Sequence, residues 1–313
     1  MGKLLLYGSM LLLVGLLIFV VASILFSLGT LIQNLVLASL ATTLYFSSSI
    51  IAAIFLICMF IDSGISSATR REFTEQKNTK NLKAIVGIAA YNEEQSIEGA
   101  VHDFKSIPFV SKVIVIDNNS KDRTNELAKK AGAEVVIERV PGYASTCIRA
   151  LKECLARAKK DEIIVLVEGD GTFSAQDLYK MMSYIGNIDM VVGTRLCPEI
   201  VDRKTQLNWF YIYGNYFLAK LLHLKYYLRL TDVGCTYRAI RPEALRRIID
   251  KVKVTSGHAF SPHMINVAAA SDLLIVEIPI TFHKRIGVSK GAGGNYRLAI
   301  KTGLKMWGDI LFN

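Results

Sequence analysis

The chain has 313 residues, enough for one large domain or two ordinary ones, with 51% hydrophobic residues and a net charge of +10. Such an excess suits an anionic membrane surface, a nucleic acid or a phosphorylated ligand, and alone does not choose among them. Five cysteines (Cys58, Cys147, Cys154, Cys197, Cys235), odd in number and without C-x-x-C spacing, argue for reduced thiols over a disulfide framework or a zinc site.

No Asp, Glu, Lys or Arg occurs from Leu4 to Ile61, a run of 58 residues. One membrane crossing takes roughly 20 apolar residues, so the run predicts two transmembrane helices, over about 4–28 and 36–61. Gly29, Thr30, Gln33 and Asn34 turn the chain between them. A signal peptide has an apolar stretch of only about 7–15 residues and does not fit. Lys3 before the run and Arg70, Arg71, Lys77, Lys80 and Lys83 after it place both ends of the hairpin on the cytoplasmic side. Lys3 and Asp62 are the only charges in residues 1–62, so the +10 excess belongs to the remainder.

From Lys83 onward short apolar strands alternate with helical periodicity. "KAIVGIAA" (83–90) is followed by a helix in "SIEGAVHDF", and "VIVID" (113–117) by "DRTNELAKKAG". "AEVVIE" (133–138) precedes a helix starting near Gly142. "EIIVLVE" (162–168) precedes "AQDLYKMMSYI", and "DMVVGTR" closes the series. This alternation predicts an α/β fold with a mainly parallel sheet and helices on both faces. Ligands of such sheets bind at the carboxyl ends of the strands. Asn92 and Glu93, Asp117 and Asn119, Glu168 and Asp170, and Arg195 all follow strands. Loops are polar in any case, so each position alone also reads as a solvated turn.

In "VEGDGTF" two carboxylates, Glu168 and Asp170, flank Gly169. A hard cation such as Mg²⁺ takes a few carboxylates plus the phosphate oxygens of a substrate, and Gly169 and Gly171 let backbone approach a ligand. An acid–Gly–acid turn also occurs in calcium loops and plain turns.

The ordered set "AYNEE", "VIDNNSKDRT", "EGDGTF", "VVGTR", "TDVGCTYRAIRPEAL" and "HKRIGVSK" resembles family 2 glycosyltransferases of the GT-A fold. The similarity spans about residues 83–290 and is greatest to the branch of dolichyl-phosphate mannose synthases and other polyprenyl-phosphate glycosyltransferases. It implies a nucleotide-sugar pocket built from Ala90, Tyr91, Glu93, Asp117, Asn119, Glu168, Gly169, Asp170 and Arg195. Glu168 and Asp170 stand at the family's metal motif and imply Mg²⁺ or Mn²⁺. Arg195, Arg238, Arg285 and Lys290 resemble the cations that hold donor and acceptor phosphates, a task suited to the arginine fork. Asp170, Asp232 and Arg285 are the implied catalytic residues, with Asp232 either orienting an acceptor-site arginine or capping structure. Three departures stand out: Glu in place of the first Asp of the metal motif, Ala89-Ala90 where relatives have Pro, and "GHAFSPHM" with His263 where they often have Glu. His263 could bind phosphate when protonated or pack against the sheet.

A sugar hydroxyl acceptor needs a general base, whereas a phosphate monoester is already largely ionised at neutral pH. Between Arg195 and His263 the acids are Glu199, Asp202, Asp232, Glu243 and Asp250, with no Glu-Asp pair placed as an obvious base, and the "QxxRW" element of processive synthases is absent. The expected acceptor is therefore polyprenyl (dolichyl) phosphate, and the resemblance implies that a hexose reaches it from a UDP- or GDP-sugar with inversion. Rivals are a glycosyltransferase with a hydroxyl acceptor, using Asp232 or His263 as base, and a non-catalytic membrane adaptor. The tail, "NYRLAIKTGLKMWGDILF", sets Leu298, Ile300, Leu304, Met306, Trp307, Ile310 and Leu311 among Arg297, Lys301 and Lys305, as in a basic interfacial helix that contacts membrane lipid. A core-packing helix is its alternative.

The organisation expected is thus a transmembrane hairpin (1–62), a basic juxtamembrane linker (63–82), a GT-A domain (83–290) and an amphipathic interfacial helix (291–313). Nucleic acid is set aside because the basic residues form no recognised reading element. The sugar, the base, the prenyl length and the oligomeric state stay open, an oligomer included.

Overall fold

The computed structural model describes residues 2–31, 35–68, 79, 81–159, 161–205, 207–253, 259–287 and 296–312, in two compact units, Met1–Phe73 and Thr74–Asn313. The first unit is a pair of helices, α1 (Gly2–Leu31) and α2 (Leu35–Ala68). Both contain a stretch long and apolar enough to cross a membrane, Val14–Leu31 and Leu35–Ile54. They pack through an aromatic notch in which Tyr45 stands roughly perpendicular to the rings of Phe19 and Phe26 and donates to Ser23 Oγ at 2.9 Å. Ser and Thr hydroxyls that would be stranded in apolar surroundings donate back to carbonyls three or four residues earlier, as Ser27 does to Ser23 and Thr43 to Ser39. Helix α2 runs on through Ala68, so the expected linker begins helical; its residues 69–78 and 80 lie outside the described residues.

The second unit is built on a seven-stranded sheet in the order β3-β2-β1-β4-β6-β5-β7. Its strands are β1 (Lys83–Ala90), β2 (Val110–Asp117), β3 (Glu134–Ile137), β4 (Glu162–Glu168), β5 (Met190–Thr194), β6 (Arg238–Ile240) and β7 (Ile275–Pro279). The first five match the strands expected from the sequence, and β6 and β7 are additions to it. All pairings are parallel except those of β6, which runs antiparallel between β4 and β5.

Both faces of the sheet are covered, which is why the strands read as continuous apolar runs. Ile85, Ile114, Ile164 and Leu166 face one core, with α5 (Tyr143–Arg157), α8 (Pro242–Ile248) and α9 (Phe260–Ala270). Val86, Val113, Val115 and Val165 face the other, with α3 (Ile97–Lys105), α4 (Thr124–Lys130) and α6 (Asp177–Tyr184). Each such side chain contributes about 1.5–3 kcal/mol when fully buried. Gly87 lets α5 sit directly on β1: a Cβ there would lie 2.9 Å from Cys154 Sγ and 3.2 Å from Ala150 Cβ.

Two further helices complete the unit, α7 (Trp209–Tyr226) and α10 (Tyr296–Phe312). Helix α10 is anchored to the domain rather than separate from it. Met306, Trp307 and Ile310 pack on the core, Lys225 Nζ reaches the Ile310 carbonyl at 2.7 Å, and Asn266 Nδ2 that of Asp309 at 3.1 Å. Ile300 and Leu304 stay exposed, so the core-packing alternative holds for one side of the helix only.

Candidate active site at the carboxyl rim of the sheet

Strand register assembles the site. Ala90 pairs with Asp117 and Ala89 with Glu168, so the segments after β1, β2 and β4 leave the sheet side by side. Asn92 and Asn119 take left-handed backbone at φ 52° and 57°, a region that asparagine tolerates better than most residues. Asn92 ties the first two loops together, its N–H donating to Ser120 Oγ and its Oδ1 accepting from Lys121 N, each at 2.8 Å. Asp117 is buried and both carboxylate oxygens are engaged, with Ser120 N at 3.0 Å and Asn125 Nδ2 at 3.2 Å. Tyr91 and Asn119 are exposed beside it.

At the end of β4, Glu168 and Asp170 are held by different partners. Glu168 Oε1 accepts from Tyr143 OH at 2.7 Å and from Thr236 Oγ1 at 2.6 Å. Asp170 Oδ1 accepts from Thr172 N and Oγ1 at 3.1 and 2.6 Å. Its Oδ2 accepts from Arg285 Nη1 at 2.6 Å, and the other arm of that guanidinium pairs with Glu93. Gly169 is required for packing, since a Cβ there would meet Ile97 Cδ1 at 2.8 Å and Ile88 Cγ2 at 3.1 Å. The strap carrying Arg285 is laid along the acidic loop by His283 N to Thr172 O (2.8 Å) and Ile286 N to Asp170 O (3.2 Å).

Burial and then the neighbouring charge of Glu168 push the Asp170 carboxyl up to about 6, against the pull of Arg285. Two carboxylates that repel each other at a buried rim form a site a cation would relieve. Among the described residues no cluster of three or more His, Cys, Asp or Glu side chains surrounds it. The donor set is therefore partial, two carboxylates to be completed by ligand phosphate and water, which fits Mg²⁺ or Mn²⁺ rather than a closed protein cage.

Asp232 is buried and grips Arg195 through the backbone N–H (3.1 Å), Nε (2.7 Å) and Nη2 (2.9 Å). Burial works against the Arg195 charge, but Asp232 outweighs it and holds the guanidinium above its usual range. Asp232 is held in turn by Glu277 on β7, which accepts from Asp232 N at 2.8 Å and from Thr231 N and Oγ1 at 2.8 and 2.7 Å. Burial pushes the Glu277 carboxyl up, and these donors oppose that push.

Arg238 departs from the expected phosphate contact. It lies within β6, is fully buried, donates to the carbonyls of Cys235 and Thr236, and stacks on Phe260 with its guanidinium 5.7 Å from the ring centroid. His263 is buried too, its ring between Asp309 (2.9 Å) and Lys253 N (3.1 Å), so the packing alternative is the one realised. Lys290 lies outside the described residues. Among the described residues two arginine donors are buried without a hydrogen-bond partner, Arg238 Nη1 inside β6 and Arg285 Nε at the rim, and an anionic ligand oxygen at the rim would satisfy the second. Sequence reasoning missed Tyr143, Thr236 and Glu277. Of these only Glu277 left a signal, a lone carboxylate in the apolar run "LLIVEIPI".

Residues 85–249 match the model of "Glycosyl transferase family 2". The chain is 28% identical over 237 residues to an undecaprenyl-phosphate mannosyltransferase of Micrococcus luteus, covering 72% of this chain and 94% of that one. It is 27% identical over 211 residues to a dolichyl-phosphate hexose transferase of Haloferax volcanii, covering 67% and 86%. Among solved structures it is similar to glucosyl-3-phosphoglycerate synthase of Mycobacterium tuberculosis in complex with Mn²⁺, uridine diphosphate and phosphoglyceric acid. That match has a TM-score of 0.54 at 20% identity, over 76% of this chain and 84% of that one, a likeness of fold.

Proposed function

The chain belongs to glycosyl transferase family 2, and on that footing we propose that it moves a hexose from a nucleotide-diphosphate sugar to a polyprenyl phosphate. It is a glycosyltransferase with a GT-A-type sheet, and the names of its relatives include transfer to undecaprenyl and dolichyl phosphate. The observation that carries the choice of acceptor is the state of the two candidate bases. Asp232 is committed to Arg195 and Gly234 N, and His263 to Asp309 and Lys253 N. A hydroxyl acceptor would need one of them free; an ionised phosphate needs neither. Among the described residues nothing in the site favours the hydroxyl reading, and Glu168 and Asp170, whose loss would mark an adaptor, are both in place.

In the reaction a phosphate oxygen of the lipid attacks the anomeric carbon, and the bond to the diphosphate breaks with its electron pair leaving on the nucleotide. Glu168 and Asp170 would hold Mg²⁺ or Mn²⁺ against the diphosphate, where the ion supplies the charge that neutralises the leaving group. Arg285 and Arg195 stabilise phosphate charge from fixed positions, the electrostatic contribution that is often the largest in catalysis. Tyr91, Glu93, Asp117 and Asn119 line the loops where base and ribose would sit. Two apolar helices anchor the enzyme, read here as a hairpin with both ends on the cytoplasmic side.

The test is transfer of radiolabel from a panel of UDP- and GDP-sugars into dolichyl or undecaprenyl phosphate, with Mg²⁺, Mn²⁺ or EDTA. Metal-dependent label in the lipid phase from one donor supports the reading and names the sugar. Label that reaches only a hydroxyl acceptor, or none from the folded protein, overturns it.

A further inference from the structure

Helix α7 buries its second half and exposes one face of its first half. Leu218, Leu221, Leu222 and Leu224 are buried, whereas Trp209, Tyr213, Tyr216 and Phe217 are exposed, Trp209 and Tyr213 at 67% each. The spacing of those four puts them on one helical face. No charge occurs from Trp209 to Ala219. Nothing in the proposed chemistry uses these aromatics, and a run of exposed rings is costly in water unless something covers it.

Helix α10 packs on α7, and Lys225 near the end of α7 reaches the Ile310 carbonyl near the end of α10. On its outer side α10 exposes Ile300 and Leu304, and beside them Arg297, Lys301 and Lys305 at four-residue intervals. The pattern is apolar with polar-tipped aromatics on one helix and apolar with a cationic stripe on the other.

We infer that the first half of α7, with the exposed apolar and cationic stripes of α10, is the surface by which the catalytic unit seats in the interfacial zone of an anionic bilayer. The inference deepens the membrane-lipid part of the reading above and rests on it. Tryptophan and tyrosine settle at that level because one end of the ring system is apolar and the other wet. Seating depth for such faces is roughly 5–10 Å into the boundary between headgroups and acyl chains. Arg297, Lys301 and Lys305 then meet lipid phosphates at the surface. A second copy of the chain fits the patch poorly. In a twofold contact the same patch faces itself, so a second copy would offer the cationic stripe no free acid from either helix segment. Asp309, the acid of α10, is taken by His263.

The chain has two tryptophans, which makes the test spectroscopic. The full-length Trp307→Phe variant keeps a ring in the core and leaves Trp209 as sole reporter. The Trp209→Phe variant leaves Trp307, packed on the core, as background. Each is reconstituted into phosphatidylcholine–phosphatidylglycerol vesicles with brominated acyl chains, and separately titrated with iodide on both sides of the membrane. Trp209 is expected to lose most of its emission to bromolipid, well beyond the loss at Trp307, and to resist iodide. Quenching by iodide without bromolipid quenching overturns the inference, placing the face in water. Protection from both quenchers overturns it as well, placing the face against protein. Sugar transfer measured on the same vesicles separates this outcome from failure of the acceptor assignment, since the fluorescence does not depend on turnover.

Discussion

Nη1 of Arg285 donates to Oδ2 of Asp170 across 2.6 Å, and the same guanidinium pairs with Glu93 through Nη2. The cation thus occupies a carboxylate oxygen that a divalent ion would need. Replacing it separates two roles. Arg285→Met should tighten Mn²⁺ binding without nucleotide about tenfold, roughly 1.4 kcal/mol, as read from free Mn²⁺ by electron paramagnetic resonance. Its turnover should nevertheless fall by about 10²-fold or more. Unchanged or weaker Mn²⁺ binding would show that Arg285 does not compete with the ion. Asp170→Asn should lose both Mn²⁺ binding and turnover with the fold retained, and wild-type activity from that variant would sink the metal assignment.

Glu168 owes its position to two hydroxyls on other elements. Removing a hydrogen bond that orients a metal ligand typically costs about 10–100-fold in affinity or activity. Tyr143→Phe and Thr236→Val should each fall in that range for Mn²⁺ affinity, with the unfolding midpoint little changed. Because both hydroxyls act on one oxygen, the double variant should lose less than the two single losses combined. Full additivity in a double-mutant cycle would refute a shared role.

Glu277 reaches Arg195 through Asp232, and its neighbour Thr194 through Thr231. In Glu277→Gln the charge and one of the two acceptor oxygens are lost, so the bonds from Thr231 and Asp232 lose their charge assistance, at a cost of about 1–3 kcal/mol. If the relay is real, Glu277→Gln and Arg195→Lys raise KM for the same substrate, donor or acceptor. Steady-state kinetics with each substrate varied in turn decides the matter, and effects on different substrates break the chain of contacts.

His263 tests packing against phosphate binding. His263→Ala strips Asp309 and Lys253 N of their partner and should destabilise the protein by about 1–3 kcal/mol. Turnover per folded molecule should stay near wild type, measured below the lowered unfolding midpoint. Loss of turnover with stability intact would return His263 to the active site.

The strands β1 to β5 were legible because each is an apolar run ending abruptly in polar residues. Strand β6 was not: three residues, Arg238 to Ile240, are too short to show a period, and its arginine reads as surface while the fold buries it. Glu277 interrupts β7 in the same way. At the site the two carboxylates were visible because they are neighbours in sequence. Their partners were not, since Tyr143 and Thr236 reach Glu168 from 25 and 68 residues away and Glu277 reaches Asp232 from 45. Contacts at such separations are set by how elements pack, which local pattern does not encode. The same limit made Arg238 a phosphate contact on paper and a buried girder in the fold.

The antiparallel β6 has a consequence for how the enzyme is made. The sheet partners of β1, β2 and β3 all lie within β1 to β4, but both sheet neighbours of β5, β6 and β7, are encoded after it. At the usual ~5–20 residues per second, β5 waits roughly 2–9 s for Ile240 to be added. Through that interval the nascent chain shows one finished half-sheet and one bare apolar strand. A ribosome-stalled chain ending before residue 238 should therefore resist protease in β1 to β4 while β5 is cut, and should be the stage at which chaperones are most needed.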